Sequence, residues 1–216
     1  MKVQVEKTHY DFDKYVDIGR WNSYYYQIAK TMEQNGKDVL VIGIGDAIVV
    51  DILKKFGKNV DTFDFDKALE PDIVGSVTEI DEVIKKKYDV VLCCQVLEHI
   101  PFDKFEDTVR RIKAVLKPDG CFILSLPNHS IEFKMDVKIP KMPRIEKVGV
   151  IKRPFRKVWD LQKDGKGEHY WEINTKGCEE KKVKGILREY YSIAERFIPM
   201  NNLYHIFYVL KKERCL

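Results

Sequence analysis

The chain has 216 residues, of which 44% are hydrophobic and 33% are charged, and its 38 basic and 34 acidic residues give a formal net charge of +4. This length suits one α/β domain with a full core, and the composition excludes a disordered or fibrous protein. The small net charge argues against general attraction to nucleic acid. Because no apolar run approaches the roughly 18 residues of a membrane span and the N-terminus lacks an apolar signal core, we expect a cytoplasmic protein.

The five cysteines are odd in number, and three of them lie in or beside apolar runs that are typical of buried strands. Cys93 and Cys94 are adjacent, so they would point to opposite faces of a strand. No spacing resembles a zinc ligand set. We therefore expect reduced, structural thiols and no metal site.

Strand and helix patterns alternate through the first two thirds of the chain. Helical spacing predicts helices over 21–35, 46–55, 81–87 and 103–116, and apolar runs predict strands over 39–42, 59–65, 88–94 and 121–126. Near the C-terminus, the pattern predicts a helix over 175–189 and strands over 191–197 and 204–210 that could pair as a hairpin. This alternation is typical of a doubly wound, mostly parallel α/β sheet.

The predicted organisation is one domain made of four segments. These are an N-terminal helical cap over 1–35, a cofactor-binding core over 36–128, a basic insertion or lid over 129–170, and a C-terminal helix with strands over 171–216. Between Lys134 and Lys166, eleven basic residues stand against four acidic ones. Such a run is most often a solvated loop, but its position favours an anionic ligand.

The first predicted strand ends in Gly43-Ile44-Gly45-Asp46, and Asp64 ends the second strand twenty-one residues after Gly43. In open α/β sheets, ligands bind at the carboxyl ends of the strands. At this spacing a carboxylate reaches ribose hydroxyls, while glycines allow a ligand to approach the backbone. The pattern therefore predicts a nucleoside-containing cofactor.

Two residues favour a nucleoside without a diphosphate. Ile48 stands where the dinucleotide fingerprint requires a third glycine. Asp46 would repel a phosphate at the helix N-terminus, but a carboxylate can accept hydrogen bonds from an ammonium group. S-adenosylmethionine carries an ammonium group and no phosphate, so it is the expected cofactor, with S-adenosylhomocysteine as the product.

Four ordered motifs, VLVIGIGDA, TFDFD, YDVVLCCQVLEHIP and LKPDGCFILSLPN, resemble those of class I methyltransferases over roughly residues 36–128. The resemblance implies a seven-stranded Rossmann-like sheet and S-adenosylmethionine as the methyl donor. It also implies cofactor contacts from each strand end. The methionine part would lie against Gly43, Ile44, Gly45 and Asp46, the ribose against Asp64, the adenine against Phe65, Ser76 and Val77, and the sulfonium against Gln95 and Val96.

The chain departs from the family pattern at two positions. Ala47 stands where many relatives carry a third glycine, and Ser76 stands where an aspartate commonly receives the adenine amino group. A serine hydroxyl accepts that hydrogen bond without charge assistance, so the contact should be weaker. On the N-terminal helix, Tyr24 is a candidate to close over the cofactor, although such an aromatic helix face is more often core.

The candidate acceptor site follows the basic segment. His169, Trp171 and Glu172 combine a base, an aromatic ring and a carboxylate, and they resemble the acceptor-facing segment of some bacterial sugar and polysaccharide methyltransferases. The alternative is that Trp171 packs against the sheet while its neighbours cap a helix. His169 is the first candidate for a general base and His99 the second. Arg153 is a candidate acceptor contact.

We therefore expect methylation of an oxygen atom on a polar or anionic small molecule or glycan precursor, such as a phosphorylated sugar. Two alternatives stay open. One is an RNA methyltransferase, which is disfavoured because no RNA-binding motif accompanies the basic run. The other is a non-catalytic, cofactor-binding scaffold protein.

Overall fold

A computed structural model describes residues 10–151 and 169–212. The apolar runs of these residues form nine strands. They are β1 (Asp38–Ile42), β2 (Asn59–Asp64), β3 (Ile73–Val74), β4 (Tyr88–Cys94), β5 (Leu116–Pro127), β6 (Ile131–Val137), β7 (Ile145–Ile151), β8 (Tyr191–Phe197) and β9 (His205–Lys212). Seven of them form one sheet in the order β3-β2-β1-β4-β5-β9-β8. The first five pair in parallel, whereas β9 is antiparallel to both β5 and β8.

Among the described residues, two helices precede β1, and four others lie between later strands. They are α1 (Phe12–Tyr15), α2 (Ile18–Met32), α3 (Ile48–Lys55), α4 (Ile80–Val83), α5 (Phe102–Ala114) and α6 (Glu180–Tyr190), and short 3₁₀ turns cover Lys67–Leu69, Val77–Glu79 and Leu97–His99. The central strands β1, β4 and β5 are largely apolar and buried, whereas the edge strand β8 alternates between buried and more exposed residues. In β1, Leu40 and Ile42 join one core cluster with residues of α5 and α6, whereas Val39 and Val41 join another with residues of α3.

The predicted seven-stranded, mostly parallel sheet with an antiparallel C-terminal hairpin is confirmed. Several helix boundaries differ from the prediction; α4, for example, covers only Ile80–Val83 where a helix over 81–87 was expected. Two of these differences have an identifiable cause. Helix α2 begins at Ile18 because the Asp17 side chain accepts a hydrogen bond from the backbone N–H of Arg20 and caps the helix. Helix α6 begins only at Glu180, because Asn174 and Gly177 have left-handed backbone angles that interrupt a helix.

Part of the basic segment forms an antiparallel hairpin of its own. Strands β6 and β7 pair from Ile131↔Ile151 to Val137↔Ile145 and form a two-stranded sheet separate from the main one. The expected solvated loop is therefore partly a hairpin, because Phe133, Met135 and Val137 alternate with polar residues as in a strand. The remaining predicted insertion, with Arg153, lies outside the described residues.

The four cysteines in the described ranges are free thiols. Burial raises the pKa of the Cys93 thiol well above its usual value and that of Cys121 to about 11. Buried thiols with raised pKa values are unreactive, which agrees with a packing role. Over 10–151 and 169–212, no helix has the length and apolar character needed to cross a bilayer.

Gly43, at the end of β1, offers a test of the backbone that shapes the sheet edge. Its φ is +82°, and a Cβ there would overlap the side chain of Val96. We expect Gly43→Ala to lower the free energy of unfolding by about 2–4 kcal/mol, measured by urea denaturation. Gly185, in the middle of α6, is the matched control, because its Cβ would meet open space. Gly185→Ala should instead stabilise the protein by about 1 kcal/mol. Equal effects of the two substitutions would contradict the strain argument.

Candidate functional site

A cleft opens at the carboxyl ends of β1, β2 and β4, where open α/β sheets bind ligands. It brings together most of the residues predicted to bind the cofactor. Those that line it are Tyr24, Gly43, Ile44, Gly45, Asp46, Asp64, Phe65, Val77, Gln95 and Val96. His99, His169 and Tyr204 line the same cleft. The predicted cofactor and acceptor segments therefore share one cavity.

The loop between β1 and α3 turns through three left-handed residues: Gly43, Gly45 and Ala47, with φ of +82°, +55° and +63°. Ala47, the departure from the family pattern, adopts this conformation despite its Cβ, at a cost of about 1–2 kcal/mol. Ala47 is the N-cap of α3, and Asp46, just before it, accepts a hydrogen bond at its Oδ1 from the N–H of Ile48, the first residue of the helix, at 3.2 Å. A carboxylate therefore stands at the helix N-terminus, where a diphosphate would have to bind.

Tyr24 is held at the cleft by the same carboxylate. Its hydroxyl donates to Asp46 Oδ2 at 2.5 Å, and the ring is 7% exposed. Burial, followed by the hydrogen bond to Asp46, raises the pKa of the Tyr24 phenol. The side chain therefore stays protonated and remains a hydrogen-bond donor that connects α2 to the glycine loop.

Asp64 ends β2 and holds the neighbouring loop in place. Its Oδ2 accepts from the N–H of Ile44 at 3.0 Å, and its Oδ1 accepts from the N–H of Asp66 at 2.9 Å. Burial raises the pKa of Asp64, while these N–H donors act against the rise. Each carboxylate oxygen retains a further lone-pair site that a hydroxyl of a ligand can use.

Ser76 is the one predicted cofactor residue that does not line the cleft. Its hydroxyl lies 2.7 Å from Thr78 Oγ1 and caps the 3₁₀ turn that follows. Gly75 and Val77, on either side of it, line the cavity instead. Sequence reasoning missed Gly75. A Cβ at this position would lie 2.9 Å from the ring of Phe63, so the close packing requires glycine.

Behind His169 and Tyr204, which line the cleft, the buried carboxylate of Glu172 has three hydrogen-bond donors. Glu172 Oε1 lies 3.0 Å from His169 Nδ1 and 2.5 Å from the Tyr204 hydroxyl, and Oε2 lies 2.8 Å from His129 Nδ1. Burial opposes ionisation, but the hydrogen bonds from His169, Tyr204 and His129 outweigh it and lower the pKa of Glu172 to about 2. Because the carboxylate is ionised, His169 must donate from Nδ1, which leaves the lone pair of the neutral ring on Nε2.

His129 and Tyr204 were missed by sequence reasoning. Neither lies near His169 in the sequence, and neither belongs to one of the quoted motifs. Tyr204 precedes β9, which pairs with β5 and places it beside Glu172. Tyr204 and Glu172 are brought together by the antiparallel pairing of β5 with β9.

Trp171 lies in the core, where it is 2% exposed. Its indole N–H donates to the carbonyl of Ile100 at 3.1 Å, and its ring packs edge-on against Phe102 and Phe105. These contacts favour the packing interpretation over an acceptor contact. Glu172, beside it, is also buried, and its described hydrogen bonds go to neighbouring side chains.

Glu98 is a second buried carboxylate near the histidines. It is 0% exposed, and neither side-chain oxygen has a hydrogen-bond partner in the described part of the chain. Burial raises its pKa to about 7, while the charge of His169 acts in the opposite direction. The ligand atoms that Glu98, His99 and His169 offer all lie within 4.8 Å of one another. These residue types can bind a transition metal, but a closed tetrahedral zinc site has ligand atoms about 3.3 Å apart.

Comparison with known proteins identifies the family. The methyltransferase domain family matches residues 15–176. A ubiquinone biosynthesis O-methyltransferase from Actinobacillus pleuropneumoniae is 30% identical over 125 residues, which are 48% of this chain and 51% of that protein. The matched region therefore spans about half the length of this curated relative.

Solved structures share the fold at low sequence identity. An S-adenosylmethionine-dependent methyltransferase from Clostridium acetobutylicum has a TM-score of 0.58 at 14% identity, over 94% of this chain and 96% of that one. The magnesium protoporphyrin IX methyltransferase from Synechocystis, solved with S-adenosylhomocysteine, has a TM-score of 0.59 at 14% identity, over 91% and 84%.

The predicted class I methyltransferase fold is confirmed by these comparisons, and one of the structures of that fold, the magnesium protoporphyrin IX methyltransferase, contains the predicted product S-adenosylhomocysteine. The narrower resemblance to sugar and polysaccharide methyltransferases stays a prediction. Because the family match covers three quarters of the sequence, this chain belongs to the methyltransferase domain family.

Proposed function

We propose that this methyltransferase transfers the methyl group of S-adenosylmethionine to an oxygen atom of a polar small molecule, with His169 as the general base. The observation that carries the proposal is the pair His169–Glu172, in which His169 lines the same cleft as Asp64 and Glu172 lies 3.0 Å from its Nδ1. The printed name of the curated relative, an O-methyltransferase, supports transfer to oxygen. A glycan precursor or another anionic molecule fits the basic segment that includes Arg153.

The cleft fits a nucleoside with a positively charged sulfur better than it fits a dinucleotide. Asp46 and Asp64 already occupy the N–H groups of Ile48 and Ile44, which a diphosphate would otherwise use. Asp64 would bind the ribose hydroxyls, and Asp46 would favour the cationic methionine part. The sulfonium supplies an electrophilic methyl group, so the protein has to align the acceptor and exclude water.

A hydroxyl acceptor needs a base to take its proton, and His169 is the proposed base. The acceptor oxygen forms its bond to the methyl carbon as the bond from that carbon to sulfur breaks, and the hydroxyl proton passes to His169 Nε2. The resulting imidazolium is stabilised by the ionised Glu172 at 3.0 Å. Such general-base catalysis contributes about 10²- to 10⁴-fold. His99 remains the second candidate base, with its ring centroid 4.9 Å from that of His169.

Cofactor binding is tested at Asp64. We expect Asp64→Asn to weaken S-adenosylhomocysteine binding about 10- to 100-fold, because charged hydrogen bonds to the ribose are lost. Isothermal titration calorimetry measures this change. Asp51, exposed on α3, provides the matched Asp51→Asn control with unchanged affinity. Unchanged affinity in the Asp64 variant would refute the ribose role, and stabilisation of the native protein by NAD alone would overturn the choice of cofactor.

Base catalysis is tested by removing the pair. The acceptor is first found by transfer of labelled methyl groups to a metabolite extract, to the same extract after phosphatase treatment, and to purified RNA. With that acceptor, His169→Gln and Glu172→Gln should each lower kcat by about 10²-fold or more and leave S-adenosylhomocysteine affinity within about twofold. Tyr170→Phe, at an exposed neighbour, should keep the native rate.

Several outcomes of that experiment would contradict the proposal. Label in RNA alone would favour the RNA methyltransferase, and cofactor binding without label in any fraction would favour a scaffold protein. A native kcat in both variants at the His169–Glu172 pair would show that neither residue assists proton transfer. Loss of label after phosphatase treatment would agree with the proposal and would identify a phosphorylated acceptor.

A metal-assisted reaction is the second candidate, because the two buried oxygens of Glu98, beside His99 and His169, have no partner within residues 10–151 and 169–212. The base mechanism expects full activity after exhaustive dialysis against a chelator. If activity disappears and returns with added Zn²⁺ or Mn²⁺, the metal candidate replaces the base. Glu98→Gln should then weaken metal retention, which elemental analysis measures without any turnover.

A further inference from the structure

A histidine that takes no part in the proposed reaction, His205, also lines the cleft. It begins β9, is 5% exposed, and borders the cavity together with Ser23 of α2. Its Nδ1 lies 2.7 Å from the Ser23 hydroxyl oxygen. That oxygen also accepts a hydrogen bond at 2.9 Å from the side-chain amide of Asn202. The three side chains therefore form a short chain of hydrogen bonds at the wall of the cleft.

The hydrogen bonds of Ser23 fix the tautomer of His205. The Ser23 side chain is buried, and the amide nitrogen of Asn202 can only donate to it. The one proton of the hydroxyl therefore goes to the remaining partner, so Nδ1 of His205 is the acceptor. A neutral imidazole that accepts at Nδ1 carries its proton on Nε2. Ser23 therefore makes the Nε2–H of His205 a donor in a fixed direction.

The His205 ring stays neutral as well. Burial is the main cause that lowers the pKa of His205 to about 3, and the positive charges of Arg20 and His169 act in the same direction, against Asp17. A ring with so low a pKa does not take up a proton near neutral pH. His205 therefore differs from His169, because it keeps a single protonation state through the reaction.

The Nε2–H donor is available inside the cleft. Within residues 10–151 and 169–212, the His205 side chain has no hydrogen bond besides the one to Ser23. The fully buried side-chain polar atoms without a partner in those ranges are the two oxygens of Glu98. The Nε2–H is therefore not sealed in the core, and the cavity that His205 borders is the cleft. A molecule bound there can accept this hydrogen bond.

The position of His205 favours a contact with the methyl acceptor over one with the cofactor. In the sheet, β9 lies two strands from β4 and three from β1, whose ends carry most of the predicted cofactor contacts. At about 4.8 Å per strand, the start of β9 is about 14 Å from the end of β1. The ring centroid of the neighbouring Tyr204 is 5.7 Å from that of His205, and its hydroxyl donates to Glu172, the partner of His169.

We propose that His205, oriented by Ser23, binds the methyl acceptor by donating its Nε2–H to an oxygen atom that carries no proton. Such an oxygen belongs to a carbonyl, carboxylate or phosphoryl group elsewhere on the molecule whose hydroxyl faces His169. This inference rests on the proposed function and narrows the acceptor class. An ammonium or amide N–H at this point is excluded, because two donors would face each other.

Nitrogen NMR tests the tautomer without any acceptor. In protein with ¹⁵N-labelled histidine, His205 should be protonated at Nε2 and unprotonated at Nδ1 near neutral pH, and its signals are assigned by their loss in His205→Gln. Ser23→Ala should mix the two tautomers, because Nδ1 then loses its donor. A native His205 ring that is charged, or that carries its proton on Nδ1, overturns the proposal.

Steady-state kinetics tests acceptor binding, with the acceptor that labelled methyl transfer identifies in the metabolite extract. His205→Leu should raise the KM for that acceptor about tenfold and leave kcat within about threefold, because the donor holds the molecule and does not take its proton. His205→Gln keeps an N–H donor and should recover most of the loss. Ser23→Ala should raise KM about threefold. Thr31→Val, which removes a buried hydroxyl from the same helix outside the cleft, should keep the native KM.

The outcomes separate this proposal from that of the base. A native KM in His205→Leu together with a lowered kcat in His169→Gln refutes the role of His205 alone, and the reverse pair of results refutes the base alone. Calorimetry should show native S-adenosylhomocysteine affinity in His205→Leu, which also shows that the variant is folded. An affinity that falls as much as KM rises would assign the donor to the cofactor and overturn the proposal. A methylated product with no unprotonated oxygen besides the new ether would also overturn it.

Discussion

Asp64 joins the ends of two strands through hydrogen bonds to backbone N–H groups. It accepts from Ile44 in the loop after β1 and from Asp66 in its own turn, at 3.0 and 2.9 Å. The loop after β1 includes three left-handed residues and would be costly to hold in one conformation without such a partner. The carboxylate therefore shapes the cleft before any ligand binds, and the same group faces the position expected for the ribose.

Glu172 likewise holds neighbouring groups in place, here through hydrogen bonds to side chains that include His169. An ionised carboxylate buried to this extent is stable only when donors replace the water it has lost. Those donors come from three separate segments, at His129, His169 and Tyr204. The pairing of β5 with β9 brings Tyr204 beside Glu172, so the surroundings of His169, the proposed base, depend in part on the C-terminal strands.

The strands β1, β2, β4, β5, β8 and β9, the glycine loop and the position of Asp64 at the end of β2 were predictable, because each follows from a local pattern. The short strand β3 and the β6–β7 hairpin were not predicted. The role of Ser76 and the start of α6 were not predictable in this way. Ser76 satisfies its own 3₁₀ turn, and α6 is delayed by the left-handed Asn174 and Gly177. The partners of Glu172 depend on contacts between distant segments, which no single-sequence pattern contains.

Glu98 is a second buried carboxyl group beside His169. A carboxylate with no partner among the described residues would be costly to keep ionised, and burial accordingly raises its pKa to about 7. Near neutral pH it is therefore divided between its two protonation states. The charge that His169 carries when protonated favours the ionised form of Glu98. In the proposed reaction, Glu172 at 3.0 Å and an ionised Glu98 would both stabilise the imidazolium that forms when His169 takes a proton from a hydroxyl.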